Sequence, residues 1–221
     1  MDFSWAFSFS GLFIKAFLMT LKLGAIAVVC GTVLGLLVGI ASTSKSVYLK
    51  PLRWVLKIYV ELLRGCPLLV QLFMVYFGLP YMGINIDVSL TTFLVFTLYS
   101  GAYIAEIVRS GIESIPVGQW EAAQCLNIGY WQTMLRIILP QTIKLALASL
   151  VGFYIGMIKD TSLASIIGYS ELVRNGQSIM NQTGHPFETY IIVGACYFII
   201  CYPLSKLVTV IERKASKNDR T

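Results

Sequence analysis

Hydrophobic positions in this chain fall in long blocks separated by short polar intervals. A bilayer core about 30 Å thick needs about 20 apolar residues when they are helical. Five blocks meet or approach that length, at about residues 13–41, 58–81, 88–109, 140–158 and 190–211. The pattern predicts an all-α integral membrane fold, five transmembrane helices in one domain covering residues 1–221. The first block carries Lys15 and Lys22 in its outer part, then a charge-free core over residues 23–44. Its Gly24, Gly31, Gly35 and Gly39 include a G-x-x-x-G-x-x-x-G run. Such a run makes a flat face that admits another helix closely, within the bundle or between subunits. Pro67 removes a backbone donor and predicts a bend in the second block, and Pro203 predicts one in the fifth. Pro140 predicts the start of the fourth, because the first turn of a helix has no use for that donor.

The interval at about residues 110–139 departs from this pattern. A connection so long is functional or disordered, and this one is neither Ser/Pro-rich nor highly charged. Ile115-Pro116-Val117-Gly118 reads as a turn. Residues 119–126 then read as a short helix with Glu121 in its first turn, where the helix dipole favours a carboxylate. Asn127 and Gly129 tolerate left-handed torsions and end it. A second segment, residues 130–139, runs into Pro140. Ala122 and Ala123 give the short helix a small, smooth surface suited to a groove on a partner. Equally, Trp120, Tyr130 and Trp131 could anchor it on lipid headgroups.

Composition supports the membrane class: 57% of residues are hydrophobic and 13% charged, against roughly 25% charged in soluble domains. The net charge of +6 is concentrated at Lys45, Lys50, Arg53 and Lys57 and in a tail with Arg213, Lys214, Lys217 and Arg220. Both clusters flank apolar blocks, which fits the positive-inside pattern better than a nucleic-acid patch. With an odd number of spans the N-terminus lies outside, together with the interval near Asp87 and residues 159–188. The C-terminus, the 45–57 interval and the 110–139 interval are then cytoplasmic. The N-terminus bears Asp2 and no basic n-region or small-residue cleavage site, unlike a secretory signal. The cysteines, Cys30, Cys66, Cys125, Cys196 and Cys201, are odd in number and form no C-x-x-C pair, so they read as small hydrophobes. His185 is the single histidine, too little material for a zinc or histidine-based catalytic centre. No catalytic residue and no metal site are expected. A stand-alone channel or secondary transporter is the alternative class, but neither internal symmetry nor a ring of intramembrane charges is visible.

Several motifs together carry a family resemblance. Glu121-Ala122-Ala123, followed at the right spacing by Ile137, Leu139 and Pro140, resembles the E-A-A-x-x-x-G…I-x-L-P signature of permease subunits of bacterial ABC importers. Asn127 stands at the signature glycine, and Asn is the next best residue for a left-handed cap. Arg64-Gly65-Cys66-Pro67-Leu68-Leu69-Val70-Gln71 is similar to R-G-T-P-L-L-V-Q of the polar amino-acid (histidine, glutamine and arginine) branch. So are the stretch from Ala102 to Arg109 to A-Y-x-A-E-x-x-R, Pro116-Val117-Gly118-Gln119-Trp120-Glu121 to P-x-G-Q-W-E, and Lys159-Asp160-Thr161-Ser162-Leu163 to K-D-T-S-L. Ala148-Ser149 departs from the Pro-Pro of many relatives.

The resemblance implies a permease that translocates a polar amino acid delivered by an extracytoplasmic binding protein. It also implies a second permease copy, identical or paralogous, a cell-membrane location within lipid, and no nucleic-acid partner. ATP and Mg would bind a separate ABC ATPase subunit and no cofactor this chain, which has no G-x-x-x-x-G-K-[ST] loop. Gly118, Gln119, Trp120, Glu121, Ala122, Ala123, Leu126 and Asn127 would form the coupling helix that docks in the ATPase. Gln71, Ser100, Tyr103, Glu106, Lys159, Asp160, Thr161 and Ser162 are the substrate-path candidates, since ionisable groups near spans are costly and often functional. Lys159 and Asp160 could instead form an exposed or loop-ordering pair. Glu61 with Arg64, and Glu106 with Arg109, have the i, i+3 spacing of pairs within one helix.

Overall fold

A computed structural model describes residues 3–44 and 47–218, with side chains as far as residue 210. Asp2, Lys45 and Arg220, and the side chains of Arg213, Lys214 and Lys217, lie outside the described residues. The described chain is helical, with no strand. In order the helices are α1 (Ser4–Ser8), α2 (Ser10–Thr43), α3 (Lys50–Gly65), α4 (Leu68–Tyr81), α5 (Val88–Glu113), α6 (Val117–Cys125), α7 (Tyr130–Thr133), α8 (Leu139–Asp160), α9 (Leu172–Thr183) and α10 (Pro186–Asn218). Four stretches are long and apolar enough to cross a membrane: Ser10–Thr43, Val88–Glu113, Tyr130–Ile167 and Pro186–Val210. A fifth is counted if α3 and α4 cross as one bent span.

Helices α2 and α5 form the spine. A Cβ on Gly31 would collide with the Ser100 Oγ, one on Gly35 would meet the Ile104 side chain at 2.6 Å, and one on Gly39 the Ala105 carbonyl at 2.8 Å. The glycine run is therefore a contact within the chain, where absent side chains let the two backbones close. Gly24 faces Ile158 of α8 instead. Ser100 is fully buried, and its one hydroxyl proton is shared between the Ala27 carbonyl across the interface (2.8 Å) and the Phe96 carbonyl (2.7 Å).

The second span differs from a single bent helix. Helices α3 and α4 meet at 106°, and α3 begins eight residues before the expected start at 58, at Lys50. Cys66 is extended (φ −111°, ψ 135°), as the residue before a proline prefers. Gln71 repairs the break: its Nε2 donates to the carbonyls of Leu63 and Cys66, each at 2.8 Å, which the end of α3 would otherwise leave unpaired. Arg64 and Glu61 do not pair with each other. Glu61 meets Lys57 at 3.6 Å, one turn back, and Arg64 reaches across to α5.

The α-helix of the fourth span starts at Leu139, with Pro140 in its first turn as expected, but the helical path reaches further back. A continuous helical path runs from Tyr130 to Ile167, with a π turn at Met134–Ile138 just before the proline. A widened turn accommodates a residue that cannot donate and whose ring crowds the preceding turn. Beyond α8 the expected outer interval is also ordered. It holds a 3-10 turn at Thr161–Ile167, a left-handed Gly168 (φ 96°) and then α9, ended by left-handed Gly184 (φ 70°). Pro203 lies inside α10.

Candidate functional site

Three polar regions are stacked along the bundle. The first is the α6 end. Ala123 is buried, and Trp120, half-buried, packs against the cluster that includes Ile112, Ile115, Met134 and Ile138. Trp120 stacks on Tyr130 at 6.0 Å between ring centroids. Gly118, Gln119, Glu121, Ala122, Leu126 and Asn127 face outward, and Leu126 is 73% exposed. The helix ends as its sequence predicts. Asn127 is left-handed (φ 55°), the sole non-glycine with positive φ among the described residues. Its N–H donates to the Gln124 carbonyl (2.9 Å) and that of Ile128 to the Ala123 carbonyl (3.0 Å), the paired bonds of a Schellman cap. Ala122 lies on the exposed side between Glu121 and Leu126.

The second region is a charged node one to three turns above. Arg109 holds Glu106 with two hydrogen bonds, 2.8 and 2.7 Å, and meets Glu113 at 2.6 Å. Arg64 arrives from α3 at 3.5 Å from Glu106, with its guanidinium 5.5 Å from the Tyr103 ring centroid. Tyr103 in turn stacks on Phe153 of α8 at 5.3 Å. The node thus links α3, α5 and α8. Two clefts of about 410 Å³ each flank it and share Arg64 and Glu106 as a common wall. One lies toward α3 and holds Arg53, Lys57 and Glu61; the other lies between α5 and α8 and holds Tyr103, Ser110, Ser114 and Ser149.

The third region is the opposite end. Lys159 is exposed and Asp160 half-buried, and no ion pair joins them among the described residues. Thr161 is fully buried; its hydroxyl bonds the Ile158 carbonyl (2.6 Å) and lies 3.4 Å from the Tyr197 hydroxyl. Ser162 caps the Lys159 carbonyl at 2.8 Å. Beside them sits Glu171, fully buried. Its carboxylate accepts from the N–H groups of Val173 (2.9 Å) and Arg174 (2.8 Å) and from the Tyr197 hydroxyl (2.9 Å). Thr20 of α2 accepts from the Leu172 N–H at 3.1 Å. Burial pushes the Glu171 carboxyl above its ordinary range, and its three donors only partly offset this.

The path candidates therefore separate. Tyr103 and Glu106 share the node and its clefts, while Lys159, Asp160, Thr161 and Ser162 share the outer end of α8. Gln71 and Ser100 are buried with their donors committed to backbone carbonyls, although the Gln71 Oε1 has no partner among the described residues. Sequence reasoning overlooked Glu171, Ser110, Ser149 and the cross-helix reach of Arg64. The acidic residue just before the amphipathic residues 172–183 was the available signal for Glu171, as a helix N-cap. No signal in the chain distinguishes Arg64 pairing locally from Arg64 pairing across helices.

Residues 31–217 match the family described as binding-protein-dependent transport system inner membrane components. The chain is 41% identical over 201 residues to the "Probable amino-acid ABC transporter permease protein YckA" of Bacillus subtilis (strain 168), covering 91% of this chain and 88% of that protein. It is 38% identical over 199 residues to the L-cystine transport system permease protein TcyB of the same organism, covering 90% and 84%. Among solved structures, a crystal structure of an amino acid ABC transporter with histidines matches with a TM-score of 0.87 at 38% identity, covering 97% of this chain and 99% of that one.

Proposed function

The chain belongs to the family of binding-protein-dependent transport system inner membrane components, and we propose that it carries a polar amino acid, driven by ATP hydrolysed in a separate subunit that grips α6. It is a multi-pass inner-membrane permease of an ABC importer, a reading favoured over a stand-alone secondary transporter or channel. In this reading the ATPase binds ATP and Mg, an extracytoplasmic binding protein delivers the amino acid, and a second permease copy completes the pathway. The N-terminus and α9 face outward, and α6 and the C-terminus face the cytoplasm, where the basic residues Lys50, Arg53 and Lys57 also lie.

One observation carries the docking part of this reading: α6 is anchored from beneath by Trp120 and Ala123 while Gly118, Gln119, Glu121, Ala122, Leu126 and Asn127 stay exposed. Such a helix offers a partner a small-residue surface without loosening its own seat. A shift of α6 passes directly to α5, from which three residues separate it, and to α8 through the shared cluster. The substrate path then runs from Lys159, Asp160, Thr161 and Ser162 at the outer end to Tyr103 and Glu106 nearer α6, with Gln71 and Ser100 bracing its walls.

The test is Ala122→Trp, followed by co-purification with the ATPase and uptake in proteoliposomes. The bulky ring on the exposed face is expected to abolish both ATPase association and uptake while the permease still folds. Retention of both in this variant would remove α6 from the coupling role.

A further inference from the structure

We propose that the cleft between α5 and α8 beside Arg64 is a binding site for a zwitterionic α-amino acid, on the half of the bundle that carries α6. It rests on the reading that the cargo is a polar amino acid, and it assigns Arg64, Ser110 and Ser149 to cargo recognition.

Charge accounting around the node leads there. Arg109 is fully engaged, with two bonds to Glu106 and one to Glu113. Arg64 is not: among the described residues its guanidinium has the 3.5 Å contact to Glu106 and the face of Tyr103. Its side chain is 39% exposed and borders the cleft. A guanidinium presents a planar fork of donors, and a carboxylate is the group that fits it with two parallel bonds. Arg64 is thus a cation with donors to spare, beside a Glu106 carboxylate that Arg109 holds in place with two bonds. An α-amino acid carries the complementary pair on one carbon: its carboxylate meets Arg64 and its ammonium faces Glu106.

The rest of the cleft suits the remainder of such a ligand. Its volume of about 410 Å³ falls in the range of small-molecule sites, about 300–1,000 Å³. The Tyr103 ring, stacked on Phe153, holds the Arg64 guanidinium over it and so fixes the cation at the cleft wall. The Ser149 hydroxyl has no hydrogen-bond partner among the described residues, and Ser110 lies within reach of Glu106. Gly111 holds the helices together at one end, where a Cβ would come within 2.9 Å of Thr142. The small side chains of Ser110, Ser114, Ala146 and Ser149 then leave the space between the helices open. An ion pair serving only to tie α3 to α5 would not need this open, hydroxyl-lined flank.

The experiment uses the permease–ATPase complex in nanodiscs without binding protein, probed with radiolabelled glutamine and arginine. Unlabelled glutamine should displace the label, and carboxyl-amidated glutamine should not. Loss of a bidentate charge-assisted pair in Arg64→Gln should weaken binding about tenfold or more, with Arg64→Lys intermediate. Ser149→Leu fills the cleft without changing charge and should weaken binding to a similar extent, with ATPase co-purification unchanged. Wild-type binding in both Arg64→Gln and Ser149→Leu, or equal displacement by the amidated analogue, overturns the site. So does an absence of binding in a wild-type complex that transports either probe. A complete system that transports no amino acid would overturn the cargo reading, and the cleft assignment with it.

Discussion

Two short helices lie between spans at opposite ends of this bundle, and they are held in different ways. Helix α6 is seated by two inward side chains, Trp120 and Ala123, and closed by backbone bonds around a left-handed Asn127. Helix α9 is fixed by a buried carboxylate, Glu171, that caps its N-terminus and also binds Tyr197 of α10, while Thr20 of α2 takes the adjoining N–H. The α6 end tolerates displacement, because its contacts are apolar and non-directional. The α9 end does not, because each of its polar bonds has a fixed geometry and an unmade buried one is costly. In the proposed reading a lever and a brace are built from elements of similar length, and the kind of contact beneath them makes the difference.

The strongest way to break this comparison is Glu171→Ala. It leaves two helix N–H groups without their cap and the Tyr197 hydroxyl with only its long contact to Thr161. A lost cap costs about 1 kcal/mol and an unsatisfied buried group about 1–3 kcal/mol, so we expect on the order of 3 kcal/mol of destabilisation, read as a lower melting temperature in detergent. A melting temperature within error of wild type would mean that α9 is not braced by this carboxylate. The second test is Asn127→Val. A β-branched residue in the left-handed region costs about 1–2 kcal/mol, and the loss should appear as a frayed α6 and reduced ATPase binding, with the outer end intact by limited proteolysis.

The contrast also explains what could be read in advance. The spans at α5 and α10 stand out as apolar runs because they lie in the membrane. The Asn127 cap was legible too, because left-handed caps select among few residue types. Helix α9 was hidden: at twelve residues with a polar face it carries no membrane signature. The 106° break was half visible, since Pro67 announces a bend while its size depends on Gln71 reaching back to Leu63 and Cys66. Pro140 marked the start of α8 but not the turns before it. The proline sits in the first turn of α8 directly after a π turn, and a string of residues does not show that the helical path runs on through it. The placement of Arg64 against Glu106 depends on how α3 crosses α5, which i, i+3 spacing cannot report.

A smaller effect concerns pH. The Glu171 carboxyl is raised in the folded protein above its ordinary value of 4.5. The folded state therefore binds more protons than the unfolded state between that value and the raised one, and stability falls as pH rises across this interval. The contribution is fully present below 4.5 and lost as pH passes the raised value. Glu171→Gln stays neutral throughout and should flatten this part of the melting-temperature profile. An unchanged slope would place its origin elsewhere.

The smallest expected effect is the sharpest probe of α6. Asn127→Gly keeps the left-handed torsion of φ 55° and removes only the carboxamide. Glycine adopts that region without penalty but loses more chain entropy on folding, and the two terms oppose each other at the level of a few tenths of a kcal/mol. The melting temperature should therefore barely move. What the substitution does change is the surface, because Asn127 lies on the exposed side with Ala122 and Leu126. If the carboxamide is there only to make the turn, uptake and ATPase association should also match wild type. If either changes severalfold at constant stability, the Asn127 side chain touches the ATPase, and the boundary of the docking surface extends past the end of the helix into its cap.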